Sequence, residues 1–293
     1  ISSAALLNAL ELQKKRIEKA KFVVNGAGAA AMACIKLYVA LGASYENFIL
    51  FDKDGVLHQG RTDLGVDRKP FAIKSNNITL PQAMKTADVF LGLSVGNVVT
   101  PEMVLSMPKN PIVFALANPD PEIDYEAATA VRKDIIMATG RSDFPNQVNN
   151  VLGFPYIFRG ALDVRATSIN EAMKIAAVRA IAELAKKSVP EAVNLAYNAR
   201  NLKFGRDYII PKPFDPRLIA VVAPAVARAA MESGVATHPI HDWEKYEEEL
   251  LERLGSDNKM VRLLTNRAKT DPKRVVFAEA DHLDVLKAAQ IVM

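Results

Sequence analysis

The chain is short of several residue types, and each shortage removes a class of function. Its 293 residues include a single cysteine, Cys34. That leaves no disulfide framework and makes a reducing compartment, the cytoplasm, the expected setting. Cys34 stands among Ala, Met, Ile and Leu and reads as a small buried hydrophobe. The four histidines, His58, His238, His241 and His282, fall in turns or near element starts and match no metal-ligand spacing. No apolar run reaches the roughly 18 residues of a membrane span. The net charge of +4 is spread along the chain, without the basic arm or aromatic-basic array of a nucleic-acid binder. Neither a membrane nor a nucleic acid is therefore an expected partner. No Ser/His/Asp order, acid-rich metal set or convincing general base is readable. The start, Ile1-Ser2-Ser3-Ala4, is neither a secretory signal nor an initiator methionine, and the end at Met293 falls in a helical pattern. Both ends read as cut.

Core material, by contrast, is ample. Half of the residues are hydrophobic, and a chain of this length buries roughly 75% of its unfolded surface as one large or two ordinary domains. The most informative stretch is Lys21–Ala31, where the apolar run Phe22-Val23-Val24 enters Gly26-x-Gly28-x-x-Ala31 and a helical pattern follows. A second apolar run, Phe48–Phe51, ends on Asp52. This is the arrangement of a dinucleotide-binding βαβ unit. Gly26 permits the tight turn, and Gly28 lets backbone approach a pyrophosphate. Ala31 allows close helix–sheet packing, and the free amides of Ala27–Ala31 meet the phosphates at the positive end of the helix dipole.

Periodicity predicts a helix from a Ser2 or Ser3 cap to about Lys19, strand 21–25, helix 29–41 and strand 48–52. Residues 53–80 are polar and turn-rich. Strands follow at 89–93, 112–116 and 135–138, parted by helices near 85, 101 and 124–132. Continuous apolar strands alternating with helices imply an α/β fold: a Rossmann-like doubly wound parallel sheet with a C-terminal helical extension. The extension reads as helices near 150–163, 168–187, 190–200 and 216–233, then a linker at 234–241 and a charged amphipathic helix at 243–254. Arg274–Ala278 reads as the first strand of a second α/β domain.

In such sheets the site lies beyond the carboxyl ends of the strands, which nominates the loops 26–31, 52–55, 94–98, 118–121 and 140–150. Asp52 suits the adenine ribose hydroxyls and by itself favours NAD. Lys53 follows directly, and Arg61 and Arg68 lie near enough in sequence to keep NADP open; Lys53 reads equally well as an ordinary exposed lysine. Asn118, ahead of Pro119, projects at the sheet edge. Asn149 and Asn150 open a helix after the run Gly140–Val148. An amide offers donor and acceptor without charge, which suits a site holding a carboxylate and a hydroxyl beside a nicotinamide ring; capping or turn formation is the plainer role for each Asn. Arg141 and Asp143 read as partners that hold their loop.

The segments Ile1–Leu12, Asn25–Ala31, Leu116–Pro121, Gly140–Phe154 and Phe158–Asp163 together resemble bacterial malic enzymes of the hybrid, multifunctional type, fused to a C-terminal phosphotransacetylase-like domain. The resemblance covers nearly the whole chain, and the run Gly140–Val151 is its most specific part. It implies oxidative decarboxylation of L-malate to pyruvate and CO2 with reduction of NADP or NAD, assisted by Mg2+ or Mn2+. Carried over by motif, Gly26, Ala27, Gly28, Ala29, Ala30 and Ala31 hold the pyrophosphate, Asp52 and Lys53 the adenosine end, and Ser94 and Asn97 lie along the cofactor. Asn118 and Asn150 contact malate and the nicotinamide end. The family's tyrosine/lysine acid/base pair and acidic metal ligands precede Ile1, so no catalytic or metal-binding residue is assigned here.

The implied organisation is a linking helix at 1–20, the NAD(P)-binding domain with helical extension at 21–233, linker helices at 234–272 and the opening of a phosphotransacetylase-like domain at 273–293. A homo-oligomer and regulation by acetyl-CoA are further implications. Two other readings stand beside this one: a two-domain NAD(P) dehydrogenase of the amino-acid type, and a non-catalytic dinucleotide-binding or assembly module.

Overall fold

The computed structural model describes residues 1–253 together with 267, 276, 285 and 286. The expected strand at Arg274–Ala278, and with it the second α/β domain, lies outside the described residues. Ile1–Trp243 form one compact unit and Glu244–Met293 another. α10 (Trp243–Glu252), all but its first residue in the second unit, is the amphipathic helix expected from its charge pattern.

The first unit is built on six strands: β1 (Phe22–Asn25), β2 (Phe48–Asp52), β3 (Gly55–Val56), β4 (Val89–Gly92), β5 (Ile112–Ala115) and β6 (Ile136–Thr139). Their order is β3-β2-β1-β4-β5-β6, with β1, β2, β4, β5 and β6 parallel. The chain reverses direction of travel across the sheet between β1 and β4, which is where an open α/β sheet leaves a crevice for a ligand. Asn25 pairs with both Phe51 and Gly92, and Gly92 with Ala115. That register brings the loops after β1, β2, β4 and β5 to a common edge.

Alternating side chains of the buried strands feed two cores. Phe22, Val24, Leu91 and Phe114 face α1 (Ser2–Leu12), α2 (Ala29–Ala40), α7 (Glu171–Lys186) and α9 (Arg217–Glu232). Val23, Phe90, Val113 and Met137 face the other way, onto residues of α3 (Leu80–Met84), α4 (Pro101–Ser106) and α5 (Tyr125–Val131). Helix starts follow their sequence signals: Thr79 and Gln82 form a capping box, Thr100 caps α4 ahead of Pro101, and Asp124 caps α5. In the extension, α6 (Phe154–Asp163) crosses α9 so closely that a Cβ on Gly160 would stand 2.3 Å from the Ala223 carbonyl oxygen.

Several expectations are corrected. The first helix stops at Leu12, because Lys14 turns left-handed at φ 54° and the chain leaves the helix there. Its cap position is Ile1. Ser2 and Ser3 lie inside the helix and are buried, and the Ser2 hydroxyl donates to Cys34 Sγ at 3.3 Å. Cys34 is half-buried rather than fully enclosed. Residues 53–80 contain the two-residue β3, which pairs antiparallel with β2, and a bridge between His58 and Ile73. The helix expected from 150 is a 3-10 turn, Asn150–Leu152, broken at Gly153 before α6. The helix expected over 190–200 is α8 (Glu191–Ala196), ended by left-handed residues at Asn198 and Asn201. Residues 235–238 are not a free linker, since they hydrogen-bond to residues 164–167.

Candidate functional site

The turn between β1 and α2 is shaped by two glycines with different reasons to be glycine. Gly26 sits at φ +103°, and a Cβ there would stand 2.4 Å from the Leu93 carbonyl oxygen, so both conformation and the neighbouring strand exclude a side chain. Gly28, at the cap of α2, is extended, and a Cβ there would meet nothing within 4 Å. The space above it is an open cradle. No side chain caps α2, which leaves its first amides for an anion, the arrangement a pyrophosphate needs. Ala27 and Ala31 are buried, whereas Ala29 and Ala30 are exposed on the cradle side.

Two cavities meet at this turn. The larger, about 830 Å³, is bordered by Ala30, Asn118, Arg141, Asp143, Asn149 and Asn150, with Cys34 in its wall. The second, about 730 Å³, begins at Ala27, Gly28 and Ala29 and runs past Arg68 to Lys36 and Lys174. The fold thus places Ala27, Gly28, Ala29 and Ala30 between the two cavities, with Asn118 and Asn150 on the side of Ala30. Asn118 is exposed and joined to Pro119 by a cis peptide. Asn149 caps the 3-10 turn by accepting from Val151 N at 3.0 Å, while Asn150 is exposed at its start. Arg141 and Asp143 pair at 2.6 Å, as their spacing suggested.

On the outer side, Asp52 ends β2 but does not present a free carboxylate. Arg61 donates to both its oxygens at 2.8 Å, and Arg68 stands 3.9 Å away. Partial burial pushes the Asp52 carboxyl up, and the Arg61 hydrogen bonds, the Asp54 amide and the two guanidinium charges together hold it below the usual range. Lys53 is exposed beside this network. Asp52, Asp54 and Asp63 form the one carboxylate trio among the described residues with oxygens close enough to share an ion. Arg61 ion-pairs with all three, at 2.8, 3.8 and 2.5 Å, so the trio does not fit a divalent metal, and in the larger cavity Asp143 is already committed to Arg141.

On the inner side the loops are fixed by buried groups that sequence reasoning passed over. Glu122 has no solvent exposure. Its carboxylate accepts from Ser94 N at 2.9 Å, Ser94 Oγ at 3.3 Å and Ala117 N at 3.0 Å. Burial nonetheless pushes its pKa above the ordinary glutamate value. Asn25 donates to Ser94 Oγ at 2.7 Å. Asn97, at φ 61°, is exposed, and its amide donates to the Pro121 carbonyl at 3.0 Å. The signals were present in the Pro119-Asp120-Pro121-Glu122 run and in a glycine, Gly92, ending a core strand. A second set holds the loop 140–150. Asn146 donates to the carbonyls of Met137 and Arg206 and accepts from Ile209 N. Lys212, buried and held below the usual lysine range by that burial, donates to the Pro145 carbonyl at 2.6 Å. The helical extension therefore shapes the site loop from behind.

Comparison with known proteins fits this geometry. Residues 1–202 match the family model "Malic enzyme, NAD binding domain". The chain belongs to the malic enzyme family, as its NAD-binding domain. It is 51% identical over 290 residues to an NADP-dependent malic enzyme of Rhizobium meliloti, covering 99% of this chain and 38% of that protein. An NAD-dependent malic enzyme of the same organism is 50% identical over 295 residues, covering 100% of this chain and 38% of the relative. Among solved structures, a malic enzyme from Pyrococcus horikoshii superposes with a TM-score of 0.73 at 35% identity, over 89% of this chain and 59% of that one. The chain thus spans well under half the length of these two relatives. The Rossmann-like α/β fold is that of malic enzymes, and the relatives are NAD(P)-dependent oxidoreductases. Among the described residues no helix is long and apolar enough to cross a membrane.

Proposed function

We propose that this chain is the dinucleotide-binding half of a malic enzyme that oxidises L-malate to pyruvate and CO2 with reduction of NADP. The observation that carries the reading is the convergence of Ala30, in the first turn of the uncapped α2, with Asn118 and Asn150 on one cavity. In this reading the amides of Gly28–Ala31 hold the pyrophosphate, and Ser94 and Asn97 line its path. The side-chain amides of Asn118 and Asn150 orient malate and the carboxamide end without adding charge where the C2 hydride leaves. NADP is favoured over NAD because Arg61 and Arg68 engage Asp52, so its carboxylate oxygens are not free to accept from the ribose hydroxyls as an NAD site needs.

The carboxylate trio among the described residues does not fit a metal, so acid/base residues and the ligands for Mg2+ or Mn2+ are assigned to a segment outside these residues. An ion held by that segment would supply Lewis-acid character. The wider organisation follows the same reading: residues 1–20 link to the catalytic segment, 21–233 form the cofactor domain, 234–272 lead on, and 273–293 open a phosphotransacetylase-like domain of a cytoplasmic homo-oligomer sensitive to acetyl-CoA.

Fluorescence titration of the chain with NADPH and NADH tests the cofactor reading, the expected outcome being binding of both with NADPH the tighter. Malate-dependent NADPH formation with Mn2+ by the longer protein, and its absence in this chain alone, tests the division of labour. Turnover of malate by these 293 residues would overturn it.

A further inference from the structure

Glu122 sits where two site loops meet. Its carboxylate receives the first amide after β4, Ser94 N, and the amide just ahead of Asn118, Ala117 N, on separate oxygens. Its own carbonyl accepts from Val99 N at 2.9 Å, and that of Pro121 accepts from Asn97 N. The seat exists because Gly92 lacks a side chain: a Cβ there would lie 2.2 Å from the Glu122 carboxyl carbon. The same close approach continues outward, where a Cβ on Gly96 would lie 2.7 Å from Asp120 Cβ. One carboxylate is thus the shared acceptor for a loop assigned to the cofactor path and a loop assigned to malate and nicotinamide.

We propose that Glu122, seated on Gly92, is a positioning residue that fixes the Ser94–Asn97 loop and Asn118 in register with each other, so that the nicotinamide half of the dinucleotide is bound in one orientation. This rests on the cofactor reading above. The chemistry requires an acid and not an amide. Two N–H groups arrive on two different oxygens, and glutamine offers one oxygen and one donor, so one loop always faces a donor with a donor. Asp is too short to span both loops from the same backbone position. Nothing in this role reaches the adenosine half, which is handled on the far side of the phosphate turn.

The experiment compares the wild-type chain with Glu122→Gln and Gly92→Ala in titrations against NADPH and against 2′-phospho-AMP, with far-UV circular dichroism recording the fold. Both variants are expected to bind NADPH about tenfold more weakly while 2′-phospho-AMP affinity stays within about twofold. Unchanged NADPH affinity, or equal weakening of both ligands, overturns the proposal, the second outcome marking general loosening. Amide exchange in the wild-type chain gives a test that survives unfolded variants. Ser94 and Ala117 amides are expected to be protected, and exchange of either at loop rates overturns the assignment. A wild-type chain that binds neither NADPH nor NADH removes the cofactor reading itself, whereas wild-type binding matched by Glu122→Gln removes only the role of Glu122.

Discussion

Asp52 and Glu122 are both carboxylates at the edge of the same sheet, and the protein treats them in opposite ways. Asp52 lies on the outer side of the phosphate turn in a partly exposed network with Arg61, Arg68 and Asp63. Glu122 lies on the inner side with no exposure and no cation, held by two amides and a hydroxyl. The difference matches the two roles proposed above. If the rim recognises a phosphate, net charge decides, which long side chains supply adjustably and salt screens. If the inner loops orient a reacting ring, they must not move, and backbone hydrogen bonds to a buried acceptor give that at the cost of desolvating it.

The sharpest break of this contrast comes at the turn dividing the two regions. Gly26→Ala is expected to lose dinucleotide binding and about 3 kcal/mol of stability, because φ +103° and the Leu93 carbonyl both oppose a Cβ. Titration calorimetry and thermal melts would register this, and near-normal binding would refute it. On the inner side, Asn146→Ala strands the Ile209 amide and two carbonyls. A loss of about 2 kcal/mol in urea denaturation is expected; a change under about 0.5 kcal/mol would mean the extension does not brace the loop 140–150.

The outer side should answer differently. Arg61→Ala is expected to shift preference from NADPH toward NADH about tenfold. It frees the Asp52 carboxylate to accept from ribose and repel a phosphate. Parallel titrations at low and high salt would show an unaltered ratio if the network has no part in selection.

The smallest effect belongs to a residue in neither region. Burial pushes the Tyr208 phenol up from 10.0 to about 12. The folded state then holds its proton more tightly than the unfolded one, so the associated stability is full below pH 10 and is lost as pH rises through about 12. Tyr208→Phe should flatten that alkaline loss in thermal melts, and an unchanged slope would count against it.

Much of this was readable in the chain. The glycine spacing between two apolar runs foretold the strand–turn–helix at β1 and α2, and the strand ends foretold the loops carrying Ser94, Asn118 and Asn150, because periodicity and turn chemistry are local properties. The partners of those loops were not readable. Asn25 meets Ser94, Glu122 meets Ala117 and Ser94, and Lys212 reaches Pro145 only once the sheet has closed. The misjudged first helix shows the same limit. Its pattern continued past Leu12, but Gln13 is drawn instead to the Asp134 carbonyl.

Composition, apolar periodicity and the Gly26-x-Gly28-x-x-Ala31 spacing were sufficient for the α/β class and the strand order's starting unit, since each depends on what a few adjacent residues allow the backbone to do. Tertiary structure alone decided that Asp52 is paired with Arg61, that Glu122 lies buried against Gly92, and that the helical extension grips the loop 140–150. Those outcomes depend on burial and on contacts between residues far apart in the chain, and neither the desolvation of a carboxylate nor the identity of its partner exists before the chain is folded.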